Sequence, residues 1–374
     1  MIPVNRPLIT AEDVSFVKGE LEAGFISGEI PLISKLETEF SEYIGVKESV
    51  AVSNGTVALD LLLSHSNLSE KNTVIVPSFT IISTINQLVR DKVKIIFVDS
   101  QHDTWNMNVP EALSIMEEHV TGVLPVHIYG LPVDMDPLLS RAREIGAFVF
   151  EDAAEALGVT YKGRKVGGLG DASTFSFYAN KILTGGEGGM ISTNDSPLAT
   201  KLRNLRTLNF ETGNRFVSQE LGWNARIHGL SAALIYSQLN RLDSLVKRKQ
   251  KIASTYLSGL LGHPWFEFQM DSTPYSSNTY WVFGILLNEE APFTASEFQE
   301  LLRRNGIDSR RFFCPMHLQP VLQDYNFVLS SNMRVSEKLW TNGLYLPSGL
   351  GTTELEQSQV IDLLWSLVTK KNEK

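Results

Sequence analysis

FSFYANKILTGGEGGMISTN, residues 175–194, is the stretch from which both the fold and the chemistry of this chain can be deduced. Phenylalanines at positions 175 and 177 alternate with polar residues, which predicts a strand that delivers Asn180 and Lys181 to its end. The glycines at 185, 186, 188 and 189 then predict a tight turn before a second strand at Met190–Ser192. Lys181 is either a reactive amine whose pKa is lowered by the phenylalanines, or a surface lysine beside a hairpin.

Strands and helices alternate from about residue 50 onward. Such alternation is typical of a mostly parallel sheet with helices on both faces. Ligands of these sheets bind at the carboxyl ends of the strands, which is where the polar and glycine-rich loops of this sequence fall. We therefore predict an α/β fold with seven strands, at 49–52, 73–76, 93–98, 122–127, 147–150, 173–177 and 190–192.

The remaining segments predict two domains, as expected for 374 residues. Residues 1–30 form an N-terminal arm, and apolar residues at helical spacing predict one long helix at 229–261. We place a large domain at 1–245 and a smaller C-terminal α/β domain at 246–374. Three helices begin with the residues of a capping box: Thr10 with Asp13, Thr294 with Glu297, and Thr353 with Glu356.

Composition excludes several classes of function. The net charge of −9 argues against nucleic acid as the main partner. No apolar run reaches the ~18 residues of a membrane span, and the N-terminus lacks the pattern of a signal peptide. Cys314 is the only cysteine, so an intrachain disulfide is impossible and a reducing cytoplasm is expected.

Two further motifs carry polar groups to predicted strand ends. Asn54-Gly55-Thr56 precedes a helix whose first N–H groups could bind phosphate, although a plain helix cap would look the same. Glu151, Asp152 and Glu155 could act as acid and base, pair with a cation, hold a metal or form an exposed cap. A metal is disfavoured because histidine and cysteine are missing nearby. A lysine, a phosphate cradle and a strand-end aspartate together are what pyridoxal 5′-phosphate requires.

On these residues the chain resembles the DegT/DnrJ/StrS family of sugar aminotransferases, and among its members the GDP-perosamine synthases. The resemblance implies pyridoxal phosphate fold type I, like that of aspartate aminotransferase, and a homodimer with shared active sites. The motifs that carry it are VSNGTVAL (52–59), VIVPSFT (74–80), LPVHIYG (124–130), EDAAEALG (151–158), GLGDASTFSFYANKILTGGEGGMISTND (168–195), GWNARI (222–227) and PMHLQP (315–320).

The resemblance also implies roles for individual residues. Lys181 is the catalytic lysine that forms an imine with the cofactor, Asp152 pairs with the ring nitrogen, and Glu155 lies near the ring hydroxyl. Ile81 takes the place of an aromatic residue that stacks on the ring in close relatives. The remaining implied contacts are Gly55, Thr56 and Ser176 with the cofactor phosphate, Asn224 with the phosphate of the partner subunit, and Ser27, Arg226 and His317 with the substrate.

The implied reaction moves the amino group of glutamate to a nucleotide-linked 4-keto-6-deoxy sugar, as in GDP-perosamine and O-antigen biosynthesis. A UDP- or dTDP-linked keto sugar is an alternative substrate. A pyridoxal phosphate-dependent sugar dehydratase is a second alternative, disfavoured because such relatives have histidine in place of Lys181. A non-catalytic relic is disfavoured by the complete set of Lys181, Asp152 and Ser176.

Other conspicuous residues are expected to be structural. His127, Trp265 and Trp281 are predicted to be core, loop or interface residues. Arg310 and Arg311 form either a solvated pair or a contact with a nucleotide diphosphate, and the sequence does not distinguish the two.

Overall fold

The structure is a computed structural model that describes residues 1–211, 214–218 and 220–372. Within these ranges the α-helices are, in chain order, α1 (Ala11–Glu22), α2 (Pro31–Ile44), α3 (Gly55–His65), α4 (Asn86–Arg90), α5 (Val109–Ile115), α6 (Met135–Ile145), α7 (Ser196–Leu205), α8 (Gly229–Leu239), α9 (Leu242–Gly259), α10 (Ala295–Arg304), α11 (Arg334–Asn342) and α12 (Glu354–Asn372). None of the helices in the described ranges is long and apolar enough to cross a membrane.

The strands of the same ranges form one large sheet, one smaller sheet and three short hairpins. In chain order they are β1 (Glu48–Val52), β2 (Thr73–Pro77), β3 (Lys94–Val98), β4 (Gly122–Val123), β5 (Phe148–Asp152), β6 (Thr160–Tyr161), β7 (Arg164–Lys165), β8 (Ala172–Ser176), β9 (Gly189–Thr193), β10 (Phe210–Glu211), β11 (Asn214–Ser218), β12 (Phe266–Glu267), β13 (Ser272–Thr273), β14 (Ser276–Ser277), β15 (Phe283–Leu287), β16 (Arg310–Arg311), β17 (Phe327–Leu329) and β18 (Gly343–Leu346).

The large sheet has eight strands in the order β1-β9-β8-β5-β4-β2-β3-β17. Every neighbouring pair from β8 to β17 is parallel, whereas β9 runs antiparallel to both β1 and β8. The predicted α/β class and mostly parallel sheet are therefore confirmed. Because β1 is again parallel to β8, the carboxyl ends of β1, β2, β5 and β8 all meet at one edge of the sheet.

Helices cover both faces of this sheet, which explains why its strands are apolar on both sides. Strand β2 is buried along its whole length. Ile75 packs into the apolar cluster formed with α2 and α6, while Val74 and Val76 pack into the cluster formed with α3 and α7. Burial on both faces removes the two-residue alternation expected of a half-exposed strand and fixes the register of the sheet.

The smaller sheet is antiparallel, with the order β12-β15-β18-β16. One of its two central strands, β15, is fully buried against an apolar cluster that includes residues of α9, α10 and α12. Tyr256 of α9 stacks on Phe283 of β15, with ring centres 4.9 Å apart. The division at residues 245 and 246 falls inside α9 and stays a prediction.

Three predictions about individual elements are wrong. The helix expected at 229–261 is two helices, since Arg241 leaves helical geometry between them and pairs with buried Asp13. Its apolar spacing continues across the break and so conceals it. The strand expected at 122–127 ends at Val123, because Pro125 cannot donate a ladder hydrogen bond. Strand β17 of the C-terminal part adds an eighth strand beside β3.

Capping boxes are present at Thr10 with Asp13 and at Thr294 with Glu297, as predicted. Thr353 and Glu356 make the same reciprocal hydrogen bonds at the start of α12. These three helix starts were identifiable because a capping box is a purely local arrangement of four consecutive residues.

Candidate active site

A cavity of about 540 Å³ opens at the carboxyl edge of the large sheet. Four loops that follow β1, β2, β5 and β8 line most of it, and residues of the C-terminal part close the other side. The residues that line it are Asn54, Gly55, Thr56, Val57, Leu59, Thr80, Ile81, Ser83, Val126, Asp152, Ala154, Glu155, Ser176, Tyr178, Asn180, Lys181, Glu187, Trp281, Phe313 and Tyr345.

Lys181 is held in a turn that follows β8. The strand ends at Ser176, five residues earlier than the lysine, and the backbone N–H of Lys181 donates to the carbonyl of Tyr178 at 2.9 Å. Its side-chain nitrogen lies 3.6 Å from the centre of the Trp281 ring. Burial lowers the pKa of Lys181, although the carboxylates of Glu155 and Asp152 act in the opposite direction.

The lowered pKa of Lys181 has the direction that the sequence analysis predicted. The aromatic ring beside the lysine, however, is not one of the two phenylalanines to which the sequence analysis attributed the shift. Phe175 and Phe177 point away from the lysine into the core, where both make edge contacts with Phe40, with ring centres 5.1 and 5.6 Å apart. The ring beside Lys181 belongs to Trp281, which lies a hundred residues further along the chain. Desolvation of the lysine is therefore a product of tertiary packing.

The glycine cluster closes the turn that carries Lys181. Gly186 and Gly188 have φ angles of 79° and 149°, which L side chains rarely adopt. A Cβ atom at Gly189 would lie 2.4 Å from the carbonyl oxygen of Asn54. The cluster thus allows the turn after β8 to approach the loop after β1.

Asp152, at the end of β5, is buried beside the cavity. One carboxylate oxygen accepts from the Thr84 hydroxyl at 3.0 Å, and the other accepts from the backbone N–H of Ala154 at 3.2 Å. Burial raises the pKa of Asp152 above its ordinary value. No ion pair to Asp152 occurs within the described residues, so its charge is available for a cationic group in the cavity.

Glu155 lies in the loop after Asp152 and also lines the cavity. Its carboxylate accepts the backbone N–H of Tyr129 at 2.9 Å. Burial raises the pKa of Glu155 to about 7, against the opposing charge of Lys181. Glu155 can therefore change protonation state near neutral pH.

Glu151 points to the opposite side of β5 and does not line the cavity. Its carboxylate accepts from the backbone N–H groups of residues 167, 169 and 170 at 2.7 to 2.9 Å. His127 accepts the N–H of Val133 on Nδ1, so its Nε2 carries the proton and donates to Glu151 at 3.2 Å. Burial acts to raise the pKa of Glu151, but His127 and these N–H groups bring it below the ordinary value. Glu151 and His127 are structural.

Hydroxyl and N–H groups converge at the other end of the cavity. Asn54 caps α3 by accepting the N–H of Val57 at 2.9 Å, and the first N–H groups of a helix have no partner within it. A Cβ atom at Gly55 would lie 2.8 Å from Cβ of Ser176, so glycine brings the helix start against that serine. The hydroxyls of Thr56 and Ser83 lie 2.8 Å apart.

These features fit pyridoxal 5′-phosphate. The helix start with Thr56 and Ser176 offers neutral donors to a phosphate. Asp152 offers a buried carboxylate to a protonated ring nitrogen, and Lys181 offers a primary amine. Ile81 also lines the cavity, with 45% of its surface exposed, and its role in covering the ring stays a prediction.

Four predicted site residues lie outside the lining of this cavity: Ser27, Asn224, Arg226 and His317. The segments that carry the first three meet at Gly28, where a Cβ atom would lie 2.6 Å from Cβ of Arg226. Ser27 and Asn224 are exposed there. His317 is nearly buried and contacts Ser78 at 2.7 Å and Glu337 at 3.2 Å.

Several residues that line the cavity or lie directly behind its lining were not identified from the sequence. Trp281, which was expected to be structural, is buried as predicted but also contacts Lys181. Thr84 bonds to Asp152, and Ser83 bonds to Thr56. In the sequence, only their position shortly after a predicted strand end indicated a role in the site. Phe313 and Tyr345 come from the C-terminal part and had no signal, because only the tertiary fold brings them to the sheet edge.

The two arginines of β16 differ in their surroundings. Arg311 donates to the carbonyls of Gly343, Trp340 and Thr341 and so ties β16 to the end of α11. Arg310 is exposed. Arg311 is thus engaged within its own chain. Among the described residues no cluster of His, Cys, Asp and Glu has the arrangement of a metal site.

Comparisons with known proteins point to one family. A model of the DegT/DnrJ/EryC1/StrS aminotransferase family matches residues 7–365. GDP-perosamine synthase of Caulobacter vibrioides is 34% identical over 365 residues, which cover 97% of both chains. GDP-perosamine synthase of Escherichia coli O157:H7 is 34% identical over 369 residues, 98% of this chain and 97% of that protein. The structure of E. coli GDP-4-keto-6-deoxy-D-mannose-3-dehydratase with bound hydrated PLP has the same fold, with a TM-score of 0.88 at 21% identity, covering 97% of this chain and 98% of that one.

Proposed function

Because the chain belongs to the DegT/DnrJ/EryC1/StrS aminotransferase family and uses pyridoxal 5′-phosphate, we propose that it transfers the amino group of glutamate to C4 of GDP-4-keto-6-deoxymannose. The observation that supports amino transfer is the placement of Lys181 in the cavity together with Asp152 and the α3 start. The full-length similarity to GDP-perosamine synthases supports the choice of sugar.

Lys181 is the group that moves protons in this proposal. Bound pyridoxal phosphate supplies an aldehyde that accepts the amino group and a ring that withdraws electrons from the bonds at that group. Because burial lowers the pKa of Lys181, a larger fraction of the amine is neutral and able to accept a proton. Its Nζ removes the proton from Cα of glutamate and, in the second half-reaction, delivers a proton to C4 of the sugar.

Asp152, Glu155 and the α3 start hold the cofactor in the orientation that this proton transfer requires. Asp152 would keep the ring nitrogen protonated, since a charge pair at ~4 Å in a medium of effective dielectric ~20 is worth ~4 kcal/mol. Glu155 would serve the ring hydroxyl, and Gly55, Thr56 and Ser176 would hold the phosphate. Trp281 covers Lys181 and limits the access of water to its amine.

The substrates require more cationic groups than this cavity contains. Glutamate carries two carboxylates and the nucleotide sugar a diphosphate, whereas Lys181 is the only Lys or Arg among the described lining residues. Ser27 and Asn224 are exposed, and Arg226, whose side chain is 23% exposed, packs against Gly28, the residue after Ser27. Exposed apolar residues such as Phe25 and Leu221 lie close to them in the sequence. An apolar surface of this kind is typical of a protein interface. We propose that this surface completes the site of a partner subunit in a homodimer.

The experiment that tests the substrate is a panel assay. Purified enzyme with glutamate is offered GDP-4-keto-6-deoxymannose and the UDP- and dTDP-linked 4-keto-6-deoxy sugars, and the sugar products are identified by mass spectrometry. We expect a 4-amino product from the GDP sugar. Turnover of a UDP or dTDP sugar alone would reject the GDP sugar but not amino transfer. Loss of a hydroxyl without gain of nitrogen would indicate a dehydratase instead.

A complementation experiment tests the shared site. Lys181→Ala and Asn224→Ala chains are each expected to be inactive, and a mixed dimer should contain one intact site. Random exchange of subunits should then restore about a quarter of the wild-type activity. Lack of rescue, with exchange verified by differently tagged chains, would place Asn224 in its own chain's site.

A further inference from the structure

The turn that follows β2 contacts both polar ends of the cavity. Residues Ile82–Thr84 form a single 3₁₀ turn, closed by hydrogen bonds of 3.1 Å from Thr84 to Ile81 and from Ile85 to Ile82. Successive side chains of a 3₁₀ helix are about 120° apart. Neighbouring residues of this turn can therefore face different groups, and Ser83 and Thr84 do so.

Thr84 faces the carboxylate end. Its hydroxyl lies 3.0 Å from Asp152 and 2.9 Å from the hydroxyl of Thr80. An ionised carboxylate only accepts hydrogen bonds, so Thr84 donates to Asp152 and must accept from Thr80. The two buried hydroxyls thus form one directed chain, from Thr80 through Thr84 to Asp152.

Ser83 faces the phosphate end. Its hydroxyl lies 2.8 Å from that of Thr56, the second residue of α3, and both line the cavity. Each hydroxyl carries one hydrogen. When Ser83 donates to Thr56, the hydrogen of Thr56 remains available for an anion at the helix start.

We propose that the turn Ile81–Thr84 positions the cofactor at both ends, with Ser83 orienting Thr56 toward the phosphate and Thr84 orienting Asp152 toward the ring nitrogen. Both are positioning residues, because each acts through a residue that touches the cofactor. The inference rests on the cofactor placement given under Proposed function. It adds that one short segment sets the spacing between the two ends of the site.

The test uses three ligands that separate the two ends. The full-length chain freed of cofactor is titrated with pyridoxamine 5′-phosphate, with pyridoxamine, which lacks the phosphate, and with the 1-deaza analogue of pyridoxamine 5′-phosphate, which lacks the ring nitrogen. These amines cannot form a covalent bond with Lys181, so the dissociation constants report contacts only. Ligand binding is followed by fluorescence quenching, and turnover is not required.

Each variant is expected to spare the one ligand that lacks the group it acts on: pyridoxamine for Ser83→Ala, and the deaza analogue for Thr84→Val. Ser83→Ala should weaken pyridoxamine 5′-phosphate about fivefold and leave pyridoxamine within about twofold, as expected for one supporting hydrogen bond. Thr84→Val should weaken pyridoxamine 5′-phosphate about tenfold and leave the deaza analogue nearly unchanged, since a bond to a charged group is stronger. Ser83→Thr and Thr84→Ser keep the hydroxyl and should restore most of the affinity.

Matched controls remove hydroxyls that contact neither end. Thr174 lies opposite Asp152 in β8, and its buried hydroxyl has no hydrogen-bond partner among the described residues, so Thr174→Val should not change any of the three affinities. Within the described part of the chain, the Ser64 hydroxyl bonds only to the backbone of its own helix α3, at 3.0 Å, so Ser64→Ala should likewise leave all three affinities unchanged.

Two reference variants separate failure of the inference from failure of the cofactor placement. Thr56→Val should bind the two phosphate-bearing ligands, pyridoxamine 5′-phosphate and its deaza analogue, more weakly. Asp152→Asn should bind the two ligands with a ring nitrogen, pyridoxamine 5′-phosphate and pyridoxamine, more weakly. If these references are selective while Ser83→Ala and Thr84→Val are not, the inference is overturned and the placement stands. If the references themselves show no selectivity, the placement is wrong and the inference falls with it. Equal loss for all three ligands would indicate a merely structural turn and also overturn the inference.

Discussion

The side-chain nitrogen of Lys181 lies over the ring of Trp281, 3.6 Å from its centre. The indole N–H of the same tryptophan donates to the carbonyl of Asn180, the preceding residue, at 3.0 Å. One side chain of the C-terminal part thus fixes both the backbone and the amine of the proposed catalytic residue.

Substitution of Trp281 is expected to slow the first half-reaction. Trp281→Phe retains a ring but loses the N–H, which should lower the rate about fivefold. Trp281→Leu also loses the cation–π contact of ~0.5–2 kcal/mol, and we expect a loss of about 10- to 100-fold. The rate is measured from the change in cofactor absorbance on addition of glutamate. Trp365 donates to the carbonyl of Gly259 far from the cavity, so Trp365→Phe is the matched control. Equal rates for Trp281→Leu and wild type would contradict this role.

Lys181 is expected to be the residue that binds the cofactor covalently. Reduction of the holoenzyme with borohydride should fix the cofactor permanently, and peptide mass spectrometry should place it on Lys181. Lys181→Ala should still bind cofactor but show no turnover. Lys249 is the alternative attachment site to consider, because burial lowers the pKa of Lys249 to about 7. An adduct on Lys249 would refute the assignment of Lys181.

Glu155 should make the stability of the cofactor-free protein depend on pH. The pKa of Glu155 is raised to about 7 in the folded protein, so the folded state binds more protons than the unfolded state between about pH 4.5 and 7. Wild type should therefore lose stability relative to Glu155→Gln as pH rises through this window, by at most about 3 kcal/mol, and the difference should level off above it. Urea unfolding at pH 5 and pH 8 measures the effect. Glu118→Gln, at an exposed site, is the control. A difference that is the same at both pH values would show that Glu155 does not titrate in this way.

The adjacent carboxylates Glu151 and Asp152 should give opposite phenotypes. Glu151→Gln disrupts a buried set of hydrogen bonds and should lower the free energy of unfolding by about 2–4 kcal/mol, with little effect on cofactor affinity once folded. Asp152→Asn should leave stability nearly unchanged and weaken cofactor binding at least tenfold. Chemical denaturation and cofactor titration of both variants test this. Similar effects of the two variants on cofactor affinity would contradict the division of roles.

Ile81 should contribute to cofactor retention through apolar contact alone. An aromatic ring would add ~0.5–1.5 kcal/mol of stacking, so Ile81→Tyr should slow the release of pyridoxamine phosphate by no more than about tenfold. Overpacking would reverse the sign, at a cost of ~1–3 kcal/mol. Release is measured after dilution for wild type, Ile81→Tyr and Ile81→Ala. The same rate in all three proteins would mean that Ile81 does not cover the ring.

The sequence by itself determined the α/β class, the mostly parallel sheet and the capped helix starts, because these depend on local periodicity and on capping residues. The resemblance of the quoted motifs was likewise sufficient to identify the family. Local patterns also placed Gly55, Asp152 and Lys181 at one edge, since the carboxyl ends of parallel strands must meet there.

The tertiary structure decided what surrounds those residues. Apolar periodicity does not detect a helix break such as the one at Arg241, a residue that leaves helical geometry and pairs with Asp13, far away in the sequence. The contact of Trp281 with Lys181 joins residues a hundred positions apart and has no local signature. Glu151 and Asp152 are neighbours in sequence, yet adjacent residues of a strand face opposite sides, so one anchors a turn and the other faces the cavity. A short motif supplies the reactive groups, whereas their pKa values depend on burial and charge, which only the folded chain creates.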